Sequence, residues 1–173
     1  MLEEAILNLK AGVAEPAADR WSPQITIGMP VLIPEDYVND LAVRLSLYRR
    51  LADLETDEEI DNFAAEMRDR FGVLPDEVRY LFKIAAIKAY CRRANVEKVD
   101  AGPKGVVLSL RDNIFANPEG LIGYIRERGS EARVRPDQKL VFFEEWQEPE
   151  RRLKGVIGIM RRLAGIAAQA KAA

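Results

Sequence analysis

Three charged side chains gather near the end of a predicted helix in the stretch AAEMRDRFGVLPDEV: Glu66, Asp69 and Arg70. Two carboxylates can act as general acid and base, but that chemistry needs a pocket that separates their pKa values. The sequence indicates only acids on an exposed helical face. We therefore favour ion pairing with a cationic group over catalysis.

Helical geometry places these side chains around the predicted buried stripe. At about 100° per residue, with the stripe centred on Ile60, Glu66 and Arg70 lie on one flank and Asp69 lies opposite the core. The spacing of Glu66 and Arg70 predicts an i,i+4 ion pair worth roughly 0.2–0.5 kcal/mol. Asp69 stays unexplained, because the negative end of the helix macrodipole disfavours an acid in the last turn.

The composition excludes several common chemistries. The chain has 173 residues, no histidine and one cysteine, Cys91. A Ser-His-Asp triad, a histidine-ligated zinc and a disulfide within the chain are therefore excluded. Cys91 lies on an apolar helical face, so we predict an inert core thiol, although Arg92 and Arg93 could lower its pKa. We expect no cofactor and no enzymatic activity.

Charge is unevenly distributed along the chain. Residues 53–77 contain ten acidic and two basic side chains, a net charge of −8, whereas residues 151–173 contain six basic and no acidic ones. The total of −2 argues against a dedicated duplex-binding domain, whose affinity depends on a broad basic surface. The acidic segment suits a cationic protein surface.

The basic segment near the C-terminus supplies the alternative function, a nucleic-acid-binding module. Its cationic residues are Arg151, Arg152, Lys154, Arg161 and Arg162. Without exposed aromatic side chains between them for base stacking, we favour a solvated face on a helix whose other side packs on the domain.

The first half of the chain predicts mainly helices. MLEEAILNLKAG predicts a leading helix, and QITIG predicts a short strand. Asp40 is a predicted N-cap, and Thr56 with Glu59 forms a capping box that opens the acidic helix. Gly72 is predicted to end that helix in a left-handed conformation, and Pro75 to begin the next one, which runs to about Arg93.

The second half predicts strands and two further helices. VEKVDAGPKGVVLSLRD predicts a hairpin, and its GPKG turn is no phosphate loop, because a strand rather than a helix follows it. A helix over 118–128, the strands ARVR and KLVFFEEW, and a long helix over about 148–170 complete the pattern. We predict a single compact α+β domain with a small, largely antiparallel sheet, flanked by its N- and C-terminal helices.

Four motifs together resemble one known family. They are P-E-D-Y, R-L-x-x-Y-R-R, E-M-x-D-R-F-G-x-L-P and V-D-A-G-P-K-G. Through these motifs and the sequence around them, nearly the whole chain resembles the C-terminal domain of the bacterial transcription-repair coupling factors. The resemblance implies that residues 1–20 are a leading helix and linker from a preceding motor region. It implies that residues 21–173 are the C-terminal regulatory domain.

The resemblance also implies a function. In this family an ATP-driven DNA translocase displaces stalled RNA polymerase, and a UvrB-like module recruits UvrA. The C-terminal domain would dock on the UvrB-like module, mask UvrA binding and restrain the translocase. DNA and polymerase would be contacted only through the parent protein.

Carried over by motif, the expected docking contacts are Glu66 and Asp69, with Arg70 beside them, opposite arginines of the UvrB-like module. All three positions match the family pattern. The longest apolar runs are far shorter than the roughly 20 residues of a membrane span, so we expect a cytoplasmic protein without a membrane partner.

Overall fold

The chain folds into helices and a sheet over residues 21–29 and 31–172, which a computed structural model describes. The predicted leading helix lies outside these described residues. The helices are α1 (Leu41–Ala52), α2 (Asp57–Phe71), α3 (Asp76–Ala94), α4 (Pro118–Arg128) and α5 (Pro149–Ala172). The strands are β1 (Gln24–Thr26), β2 (Val96–Gly102), β3 (Gly105–Leu110), β4 (Ala132–Val134) and β5 (Leu140–Phe143).

The five strands form one sheet in the order β1-β2-β3-β5-β4, in which only the β1–β2 pair is parallel. Pro103 and Lys104 form the two-residue turn of the β2–β3 hairpin, between the paired Gly102 and Gly105. Gly105 has φ +132°, and a Cβ there would lie 1.9 Å from the Phe142 carbonyl oxygen, so only glycine fits. The predicted α+β class and largely antiparallel sheet are confirmed.

Helix α3 separates two hydrophobic clusters. The sheet cluster lies between the sheet and helices α3, α4 and α5, and its fully buried members include Ile87, Val99, Leu108, Phe142 and Leu163. The helical cluster joins α1 and α2 to the first half of α3, through Leu47, Phe63, Met67, Val78 and Phe82. Ala86 of α3 packs against both clusters, so α3 borders the helical cluster on one face and the sheet cluster on the other.

Both predicted N-caps are present. The Asp40 carboxylate accepts from the amides of Ala42 (2.8 Å) and Val43 (3.2 Å) ahead of α1. Thr56 and Glu59 form the reciprocal capping box ahead of α2, with 3.0 Å from the Glu59 amide to the Thr56 hydroxyl. Local sequence therefore fixes where these two helices begin.

The end of α2 differs from the prediction. Gly72 has φ +96° and ψ −165°, so it is not in the left-handed helical conformation, and the chain leaves α2 extended. The hydroxyl of Tyr37 lies 2.8 Å from the Gly72 carbonyl oxygen and 3.3 Å from that of Met67. The Gly72 amide still donates to the Arg68 carbonyl (3.0 Å), and the Tyr37 contacts tie the end of α2 to another segment of the chain.

The start of α3 and the end of β5 also differ from the predicted boundaries. Pro75 is the N-cap of α3 rather than a residue of its first turn. Strand β5 ends at Phe143, short of the predicted KLVFFEEW, because the chain turns onto the hairpin. There, the Glu144 amide donates to the Lys104 carbonyl (3.0 Å) and the Trp146 amide to the Pro103 carbonyl (2.8 Å).

One residue assigned to the basic face is part of the core. Arg152 is only 7% exposed. Its Nη1 donates to the Ile27 carbonyl (2.5 Å), and its Nε and Nη2 donate to the Trp146 carbonyl at 3.3 and 3.1 Å. Arg152 therefore fixes β1 and the β5–α5 connection to α5, and cannot contact nucleic acid. No helix in the described ranges is long and apolar enough to cross a bilayer.

Two glycines of α5 are expected to respond oppositely to alanine. A Cβ on Gly155 would lie 2.2 Å from Cζ2 of Trp146, whereas a Cβ on Gly158 would meet nothing within 4 Å. Gly158→Ala should raise the free energy of unfolding by about 1 kcal/mol through helix propensity. Gly155→Ala should lower it by about 1–3 kcal/mol through overpacking. Urea unfolding followed by circular dichroism measures both, and equal shifts would contradict this packing.

Candidate functional site

Helix α2 presents the three predicted site residues on its outer surface. Ile60, Phe63 and Met67 are its buried residues. Asp69 and Arg70 are exposed and Glu66 is half-buried, as the helical spacing predicts. The structure thus brings all three to one end of α2, beside the C-terminal end of α1.

The main partner of Glu66 is a residue that the sequence analysis missed. Arg50 of α1 binds it with both terminal nitrogens, with Nη1 at 2.5 Å from Oε2 and Nη2 at 2.8 Å from Oε1. Arg70 is a second, longer contact, with Nη1 at 3.4 Å from Oε2. Hydrogen bonding from Arg50 lowers the pKa of Glu66 to about 2, so this carboxylate is ionised at neutral pH. The predicted Glu66–Arg70 pair exists, but it is the weaker one.

The local charge around Glu66 is therefore positive. Two guanidinium groups surround one carboxylate, which leaves a cluster of net +1 from Arg50, Glu66 and Arg70. Arg50 also stacks on Phe63, 4.2 Å from the ring centroid, which fixes its position. Glu66 chiefly organises the two arginines, and one of its roughly four lone-pair sites remains for an outside donor.

Asp69 is the carboxylate that this end of α2 offers outward. It is exposed and forms no ion pair with any described residue. Its position in the last turn gains nothing from the helix macrodipole. A cationic group on another protein surface could therefore pair with Asp69 directly, whereas Glu66 already pairs with Arg50 and Arg70.

The segment after Asp69 is held by aromatic contacts. The guanidinium of Arg70 lies 4.8 Å from the Phe71 ring centroid, and that ring lies 5.8 Å from the ring of Tyr37. Arg50 and Tyr37 come from other elements, so spacing within α2 could not reveal them. The only signal for either was its presence in the motifs R-L-x-x-Y-R-R and P-E-D-Y.

The basic face of α5 is largely engaged within the domain. Arg161 Nε donates to the Tyr90 hydroxyl (3.2 Å), which in turn lies 2.9 Å from Oδ1 of Asp57. Arg162 pairs with Glu127 at 3.2 Å. Together with buried Arg152, these contacts leave Arg151 and Lys154 as the exposed cations of the predicted nucleic-acid face without such a contact. This arrangement supports the solvated face over the nucleic-acid alternative.

Neither a reactive thiol nor a metal site is found in the described chain. Cys91 is fully buried, and burial raises its pKa to about 12 against a smaller lowering by Arg92 and Lys88. The thiol is therefore a buried core group, as predicted, and its burial disfavours the reactive thiolate. Among residues 21–29 and 31–172, no three cysteine or acidic side chains are grouped to hold a metal ion.

The fold and the acidic helix define a class of protein: an α+β domain whose distinctive surface is a set of charged, pre-positioned side chains. The model of the TRCF domain family matches residues 27–121, more than half of the chain. The chain belongs to this family, as the resemblance implied.

Curated relatives carry the same description. The chain is 33% identical over 165 residues to the transcription-repair-coupling factor of Escherichia coli, a match covering 94% of the chain and 14% of that protein. It is 37% identical over 147 residues to that of Rickettsia bellii, covering 84% of the chain and 13% of that protein. The chain thus spans about one seventh of the length of these relatives.

A solved structure shares the fold. The crystal structure of a C-terminal domain of transcription-repair coupling factor superposes with a TM-score of 0.72. The match covers 87% of this chain and 98% of that one at 18% identity. At this identity the likeness shows the architecture, and it agrees with the five-stranded sheet and helices described above.

Proposed function

We propose that this chain is the regulatory C-terminal domain of a transcription-repair coupling factor and acts as a non-catalytic, autoinhibitory clamp. It docks on the UvrB-like module of the same polypeptide, masks the surface that binds UvrA, and restrains the ATP-driven DNA translocase. The observation that carries the proposal is Asp69, an exposed carboxylate without an ion-pair partner in the described chain, beside the ordered Arg70.

Ion pairing suits a clamp that must release. Carboxylate–guanidinium pairs give orientation and a salt-sensitive affinity, whereas a large apolar interface would hold the domain permanently. The difference between docked and open states then corresponds to a coupling free energy of about 1–3 kcal/mol. That range is small enough to be overcome when the parent protein engages RNA polymerase.

The contacts within the domain assign different roles to the two acids. Asp69 supplies the direct carboxylate contact to an arginine of the UvrB-like module. Glu66 holds Arg50 and Arg70 in place and offers its remaining lone pair to the same partner. UvrA, RNA polymerase and DNA are reached only through the parent protein.

Removing residues 1–173 from the parent protein tests the proposal. We expect the basal ATPase rate to rise and UvrA to bind about 5–150-fold more tightly, the range that corresponds to the coupling free energy. Steady-state ATPase assays and a UvrA titration measure these changes, and adding the separate chain in trans should reverse them partly.

Two results would contradict this assignment. The parent protein could keep its basal ATPase rate and UvrA affinity after the deletion, in which case the domain is no clamp. Alternatively, the chain could bind duplex DNA at micromolar concentration with a steep salt dependence, which would favour the nucleic-acid-binding module.

A further inference from the structure

The second residue after the end of α2, Val73, exposes a large apolar side chain. Val73 is 90% exposed, the highest value among the exposed large hydrophobic residues of the described chain. Its neighbour Leu74 is half-buried against the helical cluster, so the exposure belongs to Val73 and not to the whole loop.

The loop that carries Val73 is anchored on both sides. On one side, the Tyr37 hydroxyl binds the Gly72 carbonyl at 2.8 Å. On the other, Leu74 packs in the helical cluster and Pro75 has φ −65° as the N-cap of α3. Because valine is β-branched and its backbone is held, little conformational entropy remains to be lost when a partner covers it.

Val73 lies close to the charged residues of the proposed docking site. Val73 is four positions after Asp69 in the sequence, so their Cα atoms are at most about 14 Å apart. A standard protein interface covers about 800 Å² on each partner, which accommodates both. This region thus combines the Asp69 carboxylate, which has no ion pair with a described residue, the guanidinium of Arg70 stacked on Phe71, and the exposed side chain of Val73.

We propose that Val73 is the apolar contact of this docking surface, and that the surface it fits is an apolar pocket bordered by arginine side chains. The inference rests on the proposed docking function and specifies its partner. Interfaces place a desolvated apolar contact at the centre and charged groups around it. Burying Val73 would also shield the Asp69–arginine pair from solvent and strengthen it.

The test titrates this chain against the separate UvrB-like module of its parent protein. Val73→Ser is expected to weaken binding about tenfold, equivalent to about 1.4 kcal/mol. The salt dependence of the dissociation constant should not change, because no charge is altered. Val73→Ile, which keeps an apolar β-branched side chain, should bind with wild-type affinity. A thermal melt by circular dichroism shows whether both variants are folded.

Ile114 provides the matched control. It is 60% exposed, and its carbonyl binds Asn95 (2.7 Å) at the C-terminal end of α3. Helix α3 has 19 residues and is therefore about 28 Å long, which separates Ile114 from the Val73 loop at its other end. Ile114→Ser should leave the dissociation constant unchanged.

The outcomes separate the two proposals. If Val73→Ser binds like wild type while Asp69→Lys binds weakly, docking stands and the role of Val73 is wrong. If the wild-type chain does not bind the module at all, the docking function itself is wrong. Equal losses from Val73→Ser and Ile114→Ser would also overturn the assignment, because the effect would not be local.

Discussion

Asp69→Lys is expected to weaken docking on the UvrB-like module by about 30-fold or more, with no loss in the stability of the domain. Truncating one partner of a desolvated, hydrogen-bonded charge pair costs about 2–5 kcal/mol, and a lysine adds repulsion from the arginine it faces. Asp69 has no ion pair to lose within the described chain. In the parent protein, the variant should raise basal ATPase activity and UvrA binding.

Two variants of α2 sharpen this test. Asp61→Lys makes the same charge change at an exposed position of α2, on the side of the helix away from Glu66. It should leave docking nearly unchanged. Glu66→Lys should weaken docking and also cost about 1 kcal/mol of stability, because it repels Arg50 and Arg70. If Asp61→Lys matches Asp69→Lys, the effect is one of net charge. If the parent carrying Asp69→Lys stays as repressed as wild type, the contact is wrong.

Arg152→Met is expected to lower the free energy of unfolding by about 2–4 kcal/mol. Methionine keeps most of the side-chain volume but leaves the carbonyls of Ile27 and Trp146 without their charged donor, and hydrogen bonds to charged groups contribute about 1.5–3 kcal/mol each. Part of this loss is offset, because a charge no longer has to be desolvated. Urea denaturation measures the change.

The neighbouring arginine is the control for that prediction. Arg151 is exposed, so Arg151→Met should change the free energy of unfolding by less than about 0.5 kcal/mol. The two variants remove the same charge from adjacent positions. Equal stabilities would show that Arg152 does not hold β1 and the β5–α5 connection to α5.

Local chemistry made much of the fold predictable. The Asp40 cap, the Thr56 capping box and the glycine-flanked hairpin turn all depend on neighbours in sequence, and each is found where it was predicted. The predictions for the end of strand β5 and for the conformation of Gly72 were wrong. Both places are in contact with other parts of the chain, the hairpin turn and Tyr37, which local sequence does not reveal. Tertiary contacts therefore override local preference mainly where an element ends.

The candidate site was predictable in position but not in connectivity. Helical periodicity correctly placed Glu66, Asp69 and Arg70 outside the core, and the family motif named them. Periodicity could not show that Arg50 binds Glu66, because that contact depends on how α1 packs against α2. It also could not show that Arg152 is buried, since an arginine in a basic segment is normally exposed.

Helix α3 borders both clusters, so the proposed docking on α2 would also affect the rest of the domain. Separating α1 and α2 from α3 would expose the helical cluster and the face of α3 that borders it, whereas the other face of α3, with Ala86 at the boundary, covers the sheet cluster. A partner that binds only the native α2 surface adds its binding free energy to that of folding. If the chain docks as proposed, the bound domain should resist proteolysis more strongly than the released one, strands included, because global unfolding of the domain would require the partner to dissociate.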